Sequence, residues 1–174
     1  MNKPKITSYI ACSVDGYIAK EDGSLEWLDC AHLPNEDYGF QEFFSSLDAI
    51  VMGRKTYEKI MTFEKWPYSG KKVVVMSSVL QNVHEEAQLS KATPSEVIAK
   101  LHEENFRHVW IDGGITVSAF LQSGLIDRLI ISIIPTLLGS GIPLFNPMDR
   151  PINCKLITSK AYASGLVQNN YEIL

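Results

Sequence analysis

Cysteine is scarce in this 174-residue chain: Cys12, Cys30 and Cys154 are odd in number, far apart and form no Cys-x-x-Cys pair. That excludes a disulfide framework and a cysteine-rich zinc site. The four histidines, His32, His84, His102 and His108, lack metal-ligand spacing, so no metal is expected. No apolar run approaches the roughly 20 residues of a membrane span. The start, Met1-Asn2-Lys3-Pro4-Lys5, passes straight into a strand-like pattern rather than a leader, so a cytoplasmic protein is the expectation. Positive charge is not in excess. Sixteen Lys and Arg against 20 Asp and Glu give a net charge of −4. Neither nucleic acid nor an anionic membrane is then the expected partner. Three familiar motifs are missing as well: Gly-x-Gly-x-x-Gly, Gly-x-x-x-x-Gly-Lys-Ser/Thr, and a serine nucleophile elbow.

What is present is alternation. Lys5 to Ser13 reads as a buried strand, in which Cys12 is a small hydrophobe. Asp15-Gly16 makes a turn, Tyr17-Ile18-Ala19 is extended, and Glu21 to Ser24 is a polar loop. Leu25 to Leu33 is irregular. Pro34 suits a first helical turn, with Phe40, Phe43, Phe44 and Leu47 at helical spacing after it. Asp48 to Met52 is a strand, Arg54 to Met61 a helix, and Lys72 to Ser77 a strand covered on both faces. Thr93-Pro94-Ser95-Glu96 is a capping box opening a helix to about Glu104. His108 to Ile111 is a strand, and the helix after it buries Val117, Phe120 and Leu121 and ends at Gly124. Arg128 to Pro135 is a strand, Thr136 to Phe145 a loop, and two last strands, Lys155 to Ala163 and Leu166 to Ile173, meet in a hairpin at Ser164-Gly165. Such alternation implies one α/β domain over residues 1–174. Its sheet is mostly parallel, with helices on both faces and an antiparallel hairpin at one side.

Two glycine-bearing turns follow strands and open helices: Gly53-Arg54-Lys55-Thr56 and Asp112-Gly113-Gly114. A helix N-terminus offers free N–H groups and partial positive charge, and glycine lets an anion approach. Two such turns suit separated phosphates, as in a dinucleotide; each also suits a simple tight turn. Ser13 to Gly16 and Ser77-Ser78 fall at strand carboxyl ends too, where open α/β sheets bind ligands. Arg54 and Lys55 oppose the macrodipole of their helix, which favours an anionic partner over a solvated first turn. Thr56 and Ser77 can donate hydroxyl hydrogen bonds.

These pieces resemble the dihydrofolate-reductase-like fold. The resemblance is carried by Ser13 to Ala19, Met52 to Glu58, Val74 to Ser78, Asp112 to Gly114, and Pro135 to Phe145. It is closest to stand-alone proteins similar to the C-terminal reductase domain of the bifunctional riboflavin-biosynthesis deaminase/reductase. The resemblance implies a three-layer α/β/α domain that uses NADPH. It places Gly53, Arg54, Lys55 and Thr56 at the pyrophosphate and 2′-phosphate end and Ser77 and Ser78 beside adenosine. Gly113, Gly114 and Ile115 would cover the second pyrophosphate turn, and Ala11, Ile18 and Ala19 the nicotinamide. It also implies a homodimer; by its own apolar pattern the strand Arg128 to Pro135, with its following loop, can form the contact face. The zinc-deaminase signature of the bifunctional enzymes is absent from this chain.

Substrate contacts are less defined. Asp15 either orients a substrate hydroxyl or serves its turn. Glu36 or Asp37 matches a first-helix carboxylate that binds pterin in folate reduction; either also suits a helix start. Trp27 and Phe40 can stack on a flat heterocycle, and Phe40 also suits the core. Asp112 either meets ligand or caps the helix after it. Three functions are consistent with this. The first is an NADPH-dependent reductase of a heterocyclic or ribosylamino-pyrimidine substrate, 5-amino-6-(5-phosphoribosylamino)uracil reductase-like. The others are a true dihydrofolate reductase and a non-catalytic nucleotide-binding module.

Overall fold

A computed structural model describes residues 3–174; Met1 and Asn2, part of the stretch read for a leader, lie outside the described residues. An eight-stranded sheet forms the middle layer, in the order β5-β4-β3-β6-β1-β7-β10-β9. The strands are β1 (Lys5–Ser13), β3 (Ala49–Gly53), β4 (Lys72–Met76), β5 (Ala87–Ser90), β6 (His108–Asp112), β7 (Arg128–Ile134), β9 (Cys154–Ala161) and β10 (Val167–Ile173). Strands β5 to β7 across the sheet pair in parallel, while β10 runs antiparallel to β7 and to β9. Two short strands, β2 (Tyr17–Ala19) and β8 (Ile142–Pro143), form a separate antiparallel pair.

Parallel strands need covering on both faces, and four helices supply it. On one face α3 (Pro94–Glu103) and α4 (Gly114–Gln122) press Leu101, Val117 and Phe120 onto Ile6, Val51 and Ile111. On the other, α1 (Phe40–Ser45) and α2 (Arg54–Ile60) press Phe43, Tyr57 and Ile60 onto Ile50, Met52 and Trp110. Alternate residues of β3 thus serve opposite cores, as a period-two strand requires. Cys12 is buried, and burial pushes its thiol up to about 11. It packs with Ile10 and Leu144 as a hydrophobe.

Four local expectations need correction. The stretch from Leu25 is not irregular: Glu26–Ala31 is a 3-10 helix that buries Trp27 and Ala31. The first α-helix does not begin at Pro34. Asn35, Tyr38 and Gly39 have φ of 65°, 58° and 80°, which breaks any helix there, and α1 starts at Phe40. A strand not expected, β5, lies beyond β4 at the sheet edge. The loop after β7 contains β8, whose pairing with β2 draws Pro143 over the start of β2. The capping box of α3 forms as expected, with Thr93 Oγ1 accepting from Glu96 N–H and Glu96 Oε2 accepting from Thr93 N–H at 2.8 Å.

Candidate active site

The carboxyl ends of β1, β3, β4 and β6 lie side by side, and their exits bring the two glycine turns together. The turns lock by crossed contacts. A Cβ on Gly53 would lie 2.7 Å from Thr116 Oγ1 in α4, and a Cβ on Gly113 would overlap Thr56 Oγ1 in α2. Each glycine therefore receives the first-turn threonine of the other turn's helix. Gly114 is confined too, since its Cβ would sit 2.7 and 2.8 Å from the carbonyl oxygens of Pro143 and Leu144. Gly113 also has φ of 89°, a left-handed conformation that an L side chain resists. Thr56 thus packs its hydroxyl against Gly113. Neither α2 nor α4 has a side-chain cap at its N-terminus.

Around this lock the other candidates separate into engaged and open groups. Arg54 Nη1 donates to both carboxylate oxygens of Glu58, one helical turn on, at 2.8 and 3.0 Å. The pair is exposed, so an incoming anion can exchange with it at small cost. Lys55 is exposed and makes no ion pair among the described residues. Ser77 Oγ accepts from the N–H groups of Val79 and Leu80, which folds the chain after β4; Ser78 is exposed. Ile115 leaves 62% of its surface open at the start of α4. Ala11 and Ile18 are half-buried and Ala19 is buried; Ile18 lies over Gly114.

Each of the four candidate carboxylates accepts at least one backbone N–H. Asp15 accepts from Ser13 Oγ at 2.5 Å and from the N–H groups of Leu138 and Gly139 at 3.1 and 2.7 Å. These bonds, led by the Ser13 hydroxyl, hold its carboxyl below the usual range. Asp15 ties the β1–β2 turn to the loop after β7 and has no oxygen left free of a partner. Asp37 accepts from Gln41 and Gly39 N–H at 2.9 and 3.0 Å and starts α1; those bonds likewise lower its carboxyl. Glu36 accepts from Tyr38 N–H at 2.9 Å.

Asp112 differs. It does not cap α4, whose N-cap is Gly113; its Oδ1 instead accepts the N–H of Gly113 at 2.9 Å. Burial pushes its carboxyl up to about 6. The carboxyl lies at the end of β6 on the α1 face, two residues after Trp110. Trp110 is 5% exposed and its Nε1–H has no partner. The ring of Phe40, 36% exposed, meets Trp110 edge-on at 5.8 Å and Tyr9 at 5.6 Å. Phe40 is thus both core and rim. Trp27 is neither: it is 8% exposed and packs with Ala31, Ile134 and Leu166, so it offers no stacking face.

Sequence reasoning missed the frame behind this wall. Gln168 Nε2 lies 2.9 Å from Tyr9 Oη, 3.0 Å from the Tyr38 carbonyl and 3.1 Å from Ser132 Oγ. Tyr9 Oη donates to the same carbonyl at 2.9 Å, and burial pushes its phenol up to about 12. Tyr38 Oη in turn bonds Ala31 O and Ser164 Oγ. This network fixes Tyr38 in its left-handed conformation and so sets where α1 begins. A glutamine in a strand was its only trace in the sequence.

The RibD C-terminal domain family matches residues 4–168. The chain belongs to that family. A crystal structure from Shewanella sp. PV-4, of a protein provisionally named for riboflavin biosynthesis, is 36% identical with a TM-score of 0.92, over 98% of this chain and 99% of that one. The Thermotoga maritima diaminohydroxyphosphoribosylaminopyrimidine deaminase/5-amino-6-(5-phosphoribosylamino)uracil reductase is 14% identical with a TM-score of 0.77, over 99% of this chain and 57% of that one. Enterococcus faecalis dihydrofolate reductase complexed with NADP(H) is 18% identical with a TM-score of 0.71, over 98% and 97%. The last two establish the fold, which is dihydrofolate-reductase-like. Among the described residues no helix is long and apolar enough to cross a membrane.

Proposed function

We propose that this RibD-type domain is an NADPH-dependent reductase of a small planar heterocycle of the ribosylamino-pyrimidine type. The observation that carries the reading is the crossed pair of glycine turns. It leaves the N-terminus of α4 without a side-chain cap, at the same carboxyl end of the sheet as an exchangeable Arg54. The residues fit a dinucleotide. The uncapped N–H groups at the start of α4 meet a pyrophosphate, Ile115 covers it, and Arg54 with Lys55 meets the 2′-phosphate. When bound, such a cofactor supplies a hydride, and the protein supplies position and electrostatics.

The chain's own part is at Asp112. Its surroundings favour the protonated carboxyl near pH 6, so it can donate a hydrogen bond to a substrate below that pH and accept one above it. Phe40 gives the ring a flat wall. A folate substrate would have to rely on Glu36, because both oxygens of Asp37 already accept backbone N–H groups.

Calorimetric titration with NADPH and NADH tests the assignment. Wild-type protein is expected to prefer NADPH, and Arg54→Ala to weaken NADPH about tenfold while leaving NADH nearly unchanged, because only NADPH carries the extra phosphate. Equal loss for both would remove Arg54 from the site. Binding of neither would leave the turns structural.

A further inference from the structure

We propose that His108 is a proton-operated clasp between α1 and the sheet: neutral, it ties the end of α1 to β1, and on taking up a proton it lets α1 loosen. The inference is independent of the reductase reading, since it concerns only what holds the helix that carries Phe40 and Phe43.

His108 opens β6, and its ring spans two other elements. Nδ1 lies 3.1 Å from Ser46 Oγ and 3.2 Å from Ser46 O, at the C-terminus of α1. Nε2 lies 3.0 Å from Thr7 Oγ1 in β1. The partners fix the tautomer. Ser46 O is a carbonyl, and the Ser46 hydroxyl already donates to Phe43 O at 2.6 Å, so neither atom has a hydrogen to give Nδ1. Nδ1 therefore carries the proton, and Nε2 accepts the hydroxyl hydrogen of Thr7. Phe43 of α1 meets the same ring edge-on at 5.9 Å. The backbone beneath is fixed as well. Asp48 Oδ2 accepts the N–H groups of Arg107 and His108 at 2.8 and 2.9 Å.

A second ring proton has no place in this arrangement. On Nε2 it would face the Thr7 oxygen, whose own hydrogen would then need an acceptor. Thr7 is 1% exposed, and its hydroxyl has no other hydrogen-bond partner among the described residues. The charge is also badly sited. Lys5 stands opposite His108 in the β1–β6 register, and Arg128 stands opposite Thr7 on β7. The Ser46 carbonyl and Asp48 favour a charged ring, but burial first and Lys5 next outweigh them and hold the ring below its ordinary value of about 6.5. The native state therefore takes up this proton less readily than an opened one. The clasp is whole above about pH 6.5 and is lost as pH falls from there through the lower native value. Proton uptake breaks the Thr7 half. The ring then keeps Ser46 but no longer joins it to the sheet.

Nuclear magnetic resonance on nitrogen-labelled protein tests this. Histidine ring spectra are expected to show the Nδ1–H tautomer at about pH 7.5 and to give the His108 titration midpoint on acidification. Amide exchange is followed over the same range as protection factors, which remove its intrinsic pH dependence. The Ser46 and Leu47 N–H groups bond Glu42 O and Phe44 O. Their protection is expected to fall at least about fivefold as His108 titrates, while the buried strand β4 changes less. Lys5→Gln, an exposed change away from α1, should raise the two midpoints together. His108→Asn should leave α1 weakly protected with no pH dependence in this range; if that variant does not fold, Lys5→Gln still decides. An Nε2–H tautomer at neutral pH overturns the proposal. So does α1 protection that ignores pH, a His108 midpoint that Lys5→Gln leaves in place, or an α1 midpoint that fails to follow it.

Discussion

Gly53 and Gly113 serve the same lock for different reasons, and substitution separates them. Gly53 has φ of −86°, open to any residue, so Gly53→Ala meets only the Thr116 hydroxyl. Its cost, about 1–3 kcal/mol for overpacking, should largely vanish in a Thr116→Ala background. Gly113→Ala meets Thr56 and also a left-handed backbone, so Thr56→Ala should recover only part, with about 1–2 kcal/mol remaining. Urea melts of the two double-mutant cycles decide; full rescue of Gly113→Ala would show that its backbone stores no strain. Asp112 gives a pH-dependent test. Its folded carboxyl is raised, to about 6 from 3.8, so the native state binds the extra proton between those values and loses stability as pH rises through them. Asp112→Asn should therefore stabilise the ligand-free protein at pH 7, by on the order of 2 kcal/mol, and give no gain below pH 4. A gain that is independent of pH would refute the burial argument.

Elements differ in how openly their sequences declare them. The helix α3 announces itself through Thr93, Pro94 and Glu96, and Thr93→Ala should cost about 1 kcal/mol in thermal unfolding; an unchanged melting temperature would mean that packing of Val97 and Leu101 alone sets the helix. Strands β3 and β4 were legible because both faces are buried and both read as apolar runs. Strand β5 was not. Ala87-Gln88-Leu89-Ser90 is half-buried along its length and held by its register on β4, a tertiary cause that composition does not carry. The start of α1 was misread because spacing alone cannot register the positive φ of Asn35, Tyr38 and Gly39. In the site, the glycine turns were legible one at a time. Their crossing was not, because Gly53 meets Thr116 and Gly113 meets Thr56 only once β6 has been inserted between β1 and β3. The two carboxylates picked out near α1 both accept backbone N–H groups within four residues, Asp37 at the start of α1 and Glu36 in the turn before it.

At the scale of the whole molecule, the sheet is covered unevenly. Helices α3 and α4 cover one face near β3 and β6, while Ile131 and Ile133 of β7 remain half-exposed beside Val167 of β10, and Leu156 of β9 is exposed. We propose that a second copy of the chain covers this face to form a homodimer. Sedimentation velocity at micromolar concentration should give a dimer, and Ile133→Lys should return it to monomer without loss of helical circular dichroism. A monomeric wild type would reject the proposal. The crossed turns carry a last consequence, for descent rather than for energy. A change at Gly53 is tolerable only where residue 116 has already become small, and a larger residue at 116 closes off every option but glycine at 53. Positions 53 and 116, far apart in the chain, should therefore drift as a pair among this chain's descendants, while 113 stays fixed whatever happens at 56.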